Sequence, residues 1–151
     1  MINIDDIKDI INNPNTIKVV ETVNVHGIPH AAIKQSLHVD DEGNVEYVEL
    51  FESSKSYKNI TRSLWYNKKV SILIYDGADK SYEIIGKPVK ILVSGKKYEK
   101  IYTEILKKKG FDIAAVITVV PEDIENQGSQ GKFSEQEKSK IFFKHLDRLK
   151  K

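Results

Sequence analysis

The chain contains no cysteine, one tryptophan, one methionine and four prolines in 151 residues. The absence of cysteine excludes disulfides, thiolate metal sites and a cysteine nucleophile. It leaves the compartment open, and the cytoplasm is the default expectation. No apolar run approaches the roughly 20 residues that a membrane-spanning helix needs. Met1-Ile2-Asn3-Ile4-Asp5-Asp6 lacks a basic region followed by an apolar core, so no secretory signal is expected there. One-sided charge is missing as well. The 24 basic and 22 acidic side chains leave +2, too even a balance for a nucleic-acid footprint. The runs Lys96-Lys97, Lys107-Lys108-Lys109 and Lys150-Lys151 have acidic neighbours and read as solvated helix ends. Neither a nucleic acid nor a membrane is expected as a partner.

What remains is ordinary globular material, 40% hydrophobic and 30% charged, long enough to bury a core as one domain over residues 1–151. Residues 5–12 belong to a short amphipathic helix, with Ile4, Ile7, Ile10 and Ile11 at three- and four-residue spacing. Asn13-Pro14-Asn15 ends it. Residues 16–25 are rich in β-branched side chains and form a strand. His26-Gly27-Ile28-Pro29 turns the chain into a second strand over residues 31–39. A further strand runs to Phe51, a helix follows as far as Asn67, and residues 69–75 and 82–93 are strands. Gly86-Lys87-Pro88 predicts a bulge in the second of these. Tyr98, Ile101, Tyr102 and Ile105 define a helix over residues 97–109, closed by Gly110. Residues 114–120 make an almost wholly apolar strand that Pro121 ends, and an irregular loop follows to Lys132. Ser134 and Glu137 form a capping box for a last helix, about residues 134–149. Its Phe142, Leu146 and Leu149 share one face, suited to core or dimer packing more than to membrane docking. About six strands joined by tight turns predict a mainly β, α+β fold built on an antiparallel barrel with peripheral helices.

Chemistry concentrates at Glu52-Ser53-Ser54-Lys55-Ser56-Tyr57-Lys58-Asn59-Ile60, where a strand hands over to a helix. The first N–H groups of that helix lack intrahelical partners and sit at the positive end of its dipole. With Lys55 and Lys58 added, this is a candidate phosphate site. The competing reading is that Ser53 or Ser54 caps the helix and the lysines face water. His26, His30 and His38 with Glu52 are candidate metal ligands. Pro29 keeps the first two apart around a turn, and zinc wants three or four converging ligands, so turn and surface histidines are the better reading. The serines lack a nucleophile elbow, which excludes a serine hydrolase of that type.

Three segments resemble the pyridoxamine 5'-phosphate oxidase-like superfamily of FMN-binding split barrels, above all its small bacterial FMN-binding proteins. Gly27-Ile28-Pro29-His30 resembles that family's Gly-x-Pro-His hairpin. Ser54-Lys55-Ser56-Tyr57-Lys58-Asn59-Ile60, followed by Asn67-Lys68-Lys69-Val70-Ser71-Ile72, resembles its phosphate-binding segment. Ala115-Val116-Ile117-Thr118-Val119-Val120 resembles its closing strand. The order and spacing of these segments, over roughly residues 16–121, carry the likeness. It implies a six-stranded antiparallel split barrel, a homodimer and FMN at the subunit interface. Lys55 and Ser56 would hold the FMN phosphate with Ser54 and Asn59 close by. Phe51 and Glu52 would pass along the isoalloxazine ring through backbone groups. Lys34, Gln35 and Ser36, on the strand with Ile33, would line the other wall, and Lys34 would stabilise the anionic reduced flavin. No catalytic acid or base is implied. The implied activity is that of an FMN-dependent oxidoreductase, with a non-catalytic flavin-binding or electron-carrier module as the alternative. The sequence departs from the family at two places. Lys68 stands where the proline of the usual Asn-Pro-x-Val would be, which leaves room for a relative that uses a deazaflavin or haem or has lost its cofactor. The C-terminal Phe142-Phe143-Lys144-His145-Leu146-Asp147-Arg148-Leu149 lacks the Trp and Arg segment of the vitamin B6 oxidases, which argues against that substrate.

Overall fold

A computed structural model describes residues 2–128; the helix expected near residues 134–149 lies outside them. Helix α1 (Ile4–Asn12) begins where Asn3 N donates to Asp6 Oδ2 at 2.9 Å, and it buries Ile7 and Ile11 four residues apart. Seven strands follow: β1 (Ile17–Val23), β2 (Pro29–Ile33), β3 (His38–Val39), β4 (Val45–Glu49), β5 (Val70–Tyr75), β6 (Ser81–Leu92) and β7 (Ala115–Asn126). Helix α2 (Lys55–Trp65) joins β4 to β5, and α3 (Lys96–Lys109) joins β6 to β7. All pairings are antiparallel, in the order β2-β1-β5-β6-β7-β4-β3.

The expected count of six strands is therefore corrected to seven among the described residues. The segment read as one strand over residues 31–39 divides at residues 34–37, because it leaves the ladder there. Lys34 N still donates to Lys18 O at 2.8 Å, but Leu37 N closes a turn onto Lys34 O at 3.0 Å. The Gln35 side chain then does the work of a backbone, accepting from Lys18 N and donating to Thr16 O. The two halves, β2 and β3, lie at opposite edges of the sheet although only residues 34–37 separate them. So short a connection requires the sheet to curl until its edges approach, and the result is a half-barrel.

Pro121 does not end its strand, contrary to the sequence expectation. β7 continues to Asn126, because Pro121 falls opposite Gly86, next to a register shift where a missing N–H is tolerated. The bulge expected around Gly86-Lys87-Pro88 is present, with shifts at Ile85/Gly86 and Pro88/Lys90. A Cβ on Gly86 would lie 2.6 Å from the Val120 carbonyl oxygen, so the two strands approach there as only glycine permits.

The barrel interior is filled by Val20, Tyr47, Ile72, Ile74, Ile84 and Ile117, with Ile7 and Ile11 of α1 and Ile60 of α2 closing it. On the other face of the sheet, Val48, Ile113 and Val116 pack beneath Tyr98, Ile101, Tyr102 and Ile105 of α3. β4 is thus covered on both faces, and all five of its residues are buried.

Candidate functional site

A strand covered on both sides should read as apolar, yet β4 carries two glutamates, Glu46 and Glu49. Side chains alternate along a strand, so Glu49 shares the barrel face with Val45 and Tyr47, while Glu46 shares the α3 face with Val48. Glu49 is 0% exposed, and both its oxygens are used. Oε2 lies 2.8 Å from Lys34 Nζ, and Oε1 accepts from Ser56 Oγ at 2.8 Å. Glu46 meets His38 Nε2 at 3.2 Å and Lys97 Nζ at 2.5 Å. The hydrogen bond to Glu46 holds the Lys97 ammonium above the ordinary lysine range, with partial burial opposing it. Burial, and then the Glu49 charge, pushes the Tyr47 phenol well above its usual value. The Tyr47 hydroxyl has no hydrogen-bond partner among the described residues.

Where β4 runs out toward α2, a cleft of about 600 Å³ opens between the 34–37 crossing, the end of β4 and α3. Lys34 stands on its wall, Val48, Leu50 and Phe51 give it an apolar side, and Ile101 and Ile105 of α3 face them across it. Three contacts fasten α3 and the segment after it. Lys97 holds Glu46, Tyr98 Oη donates to the Ile113 carbonyl at 2.8 Å, and Tyr102 Oη donates to Asp112 at 2.7 Å.

The cleft reaches the start of α2. Ser54 is the N-cap of that helix, its Oγ accepting from Tyr57 N at 3.0 Å, and it also lines the cleft. Capping and cleft lining therefore coexist in one side chain, and the Ser54 hydroxyl proton meets no acceptor among the described residues. The amides of Lys55 and Ser56 belong to the first turn, where the helix itself supplies no acceptor. Lys55 and Lys58 are exposed beside them.

The residues singled out from the sequence divide into two groups. Lys34, Gln35, Ser36, Phe51 and Ser54 line the cleft together. Within that group Gln35 is bonded to the backbone of Thr16 and Lys18, and Ser36 Oγ accepts from Val48 N at 3.0 Å. Outside it, Glu52 and Lys55 are exposed, while Ser56 and Asn59 face inward. Ser56 gives its hydroxyl proton to Glu49, so it can offer an anion its amide. Asn59 donates to Thr22 Oγ1 at 3.1 Å, tying α2 to β1. Sequence reasoning missed Glu49 and Glu46, and it missed the contribution of α3 to the cleft. A signal existed for Glu49, since a glutamate in phase with Val45 and Tyr47 points the same way as two core side chains. Among the described residues no three histidines or carboxylates gather as metal ligands, and no helix is long and apolar enough to cross a membrane.

No family model and no curated protein matches the chain. Solved structures do. HupZ of Group A Streptococcus is 26% identical and superposes with a TM-score of 0.67, over 85% of this chain and 96% of its own. An FMN-binding protein from Syntrophomonas wolfei gives a TM-score of 0.66 at 13% identity, over 83% of this chain and 86% of its own. A Listeria innocua protein assigned to the pyridoxamine 5'-phosphate oxidases gives 0.64 at 22% identity, over 83% and 98%. The latter two likenesses speak to the fold.

Proposed function

From the split-barrel fold that the chain shares with the pyridoxamine 5'-phosphate oxidase-like superfamily, we propose that it is an FMN-binding flavoprotein working as an FMN-dependent oxidoreductase in a homodimer. The observation that carries this reading is the cleft that runs from Lys34 to the capped start of α2. Its size falls within the range of small-molecule sites, mostly apolar with a few placed polar groups. The donor set fits a nucleotide phosphate: the amides of Lys55 and Ser56, the Ser54 hydroxyl, and the ammonium groups of Lys55 and Lys58. The apolar side formed by Val48, Leu50 and Phe51 suits a flat ring system. A bound flavin supplies the electron-transfer chemistry, and the chain positions it and sets its electrostatic surroundings.

The proposed dimer has its own support. Ile33, Phe51 and Phe111 stand at the cleft yet are 67%, 66% and 53% exposed. A second copy covering them would remove three large apolar side chains from water and close the cleft over its ligand.

The test is Lys55→Ala. Loss of a charged hydrogen bond to phosphate weakens FMN by about 1.5–3 kcal/mol, while riboflavin, which has no phosphate, is held as before. Unchanged FMN affinity would move the phosphate away from α2. Bleaching of the bound flavin by a reduced nicotinamide separates the oxidoreductase from a module that only stores or carries flavin.

A further inference from the structure

We propose that Glu49 is a positioning residue of the flavin site: a buried counter-charge that holds the Lys34 ammonium at the cleft wall and offsets its charge, thereby setting how strongly the site favours reduced over oxidised flavin. The inference rests on the flavin reading above and deepens it.

Four observations carry it. Lys34 lines the cleft, yet its side chain is only 15% exposed and points at Glu49. Its main chain is fixed on both sides, with its N–H donating to Lys18 O and its carbonyl accepting from Leu37 N. Glu49 cannot swing away with the lysine, because its second oxygen is bound to Ser56 in the first turn of α2. And Glu49 is wholly buried on a barrel face otherwise occupied by Val45 and Tyr47, where an apolar residue would pack without any partner.

The physical consequence concerns field rather than contact. A flavin gains negative charge on reduction, so a lone ammonium beside it would favour the reduced form, and the low dielectric of the cleft wall would strengthen that preference. A carboxylate 2.8 Å from the ammonium turns the charge into a dipole, whose field falls off faster with distance. The ammonium stays in place while much of its pull on the reduced ring is cancelled. Through Ser56 the same carboxylate ties the lysine to the helix start that is proposed to hold the phosphate.

The test uses FMN-loaded wild type, Glu49→Gln, Lys34→Met and the double variant, with the midpoint potential read by stepwise reduction. Glu49→Gln keeps an acceptor for Ser56 and removes the charge. It should favour reduced over oxidised FMN by roughly tenfold, about 30 mV upward for a two-electron couple. Lys34→Met, which leaves the carboxylate unopposed, should shift the potential downward, and the double variant should return close to wild type. Should Glu49→Gln fail to fold, Lys34→Met and the double variant carry the test, because they differ only in the carboxylate: the double variant should have the higher potential, and equal potentials in the two would overturn the inference. Equal potentials in every variant that folds, with only melting temperatures differing, would reduce the pair to a structural plug and overturn the inference. A wild-type protein that takes up no FMN would instead defeat the flavin reading, and this inference with it.

Discussion

Glu49 and Glu46 are the same residue on the same strand, three positions apart, and both are almost fully buried. They differ in what would be left behind if they were gone. The partners of Glu49 are Lys34, its side chain 15% exposed at the cleft wall, and the buried Ser56. The partners of Glu46 are His38 and Lys97, with side chains 45% and 48% exposed. A buried carboxylate is costly to bring in from water, and breaking its pair costs further only where the orphaned partner cannot be hydrated. The α3-face glutamate thus latches the first turn of α3 using cations that water would accept. The barrel-face glutamate holds a lysine that is far less exposed, together with a buried hydroxyl.

The largest expected effect is on Glu49→Ala, which strands Lys34 and Ser56. It should lower unfolding free energy by about 3–5 kcal/mol in urea titration. Glu46→Ala should lose about 1–2 kcal/mol, because its partners fall back on water, and that loss should shrink as salt is added. Equal losses in the two variants would mean that the exposure of the orphaned partners does not matter. Tyr47→Phe sharpens the contrast. Its hydroxyl shares the barrel face with Glu49 but has no partner among the described residues, so removing it should raise stability by about 1 kcal/mol. The smallest effect concerns pH. The Lys97 pKa is raised by its hydrogen bond to Glu46. Its stabilising contribution is therefore fully present below the ordinary lysine pKa of about 10.4 and is lost as pH rises through the folded value. Lys97→Met should be less stable than wild type at neutral pH, with His38 left as the partner of the buried Glu46, and should lack that alkaline loss, as melting curves across pH would show.

Local signals in the sequence reached far. The β-branched runs, the Gly86 bulge, the amphipathic faces of α1 and α3 and the left-handed Gly110 closing α3 all follow from side-chain period and turn chemistry. The break at residues 34–37 was hidden, since it depends on Gln35 standing in for a backbone through contacts 17 and 19 residues away in sequence. Pro121 misled for a related reason: a proline ends a strand only if its missing N–H is needed there, and the register shift beside it, where Glu122 is skipped in the pairing with β6, decides that. At the candidate site, the helix start after Phe51 was readable from hydroxyls and lysines alone. That Ser56 turns inward to a buried glutamate was not, because polarity gives no sign of which polar side chain a barrel will enclose. The cleft wall from α3 was equally hidden, since amphipathicity says that a helix packs and not where.

The proposed function requires the start of α2 to bind the phosphate of a flavin nucleotide. Titrating the full chain with FMN and with riboflavin, followed by quenching of flavin fluorescence, tests it most directly. Saturation is expected at one FMN per chain, with riboflavin bound at least about tenfold more weakly for want of a charged phosphate contact. Equal affinity for the two, or no saturable binding of either, would contradict it.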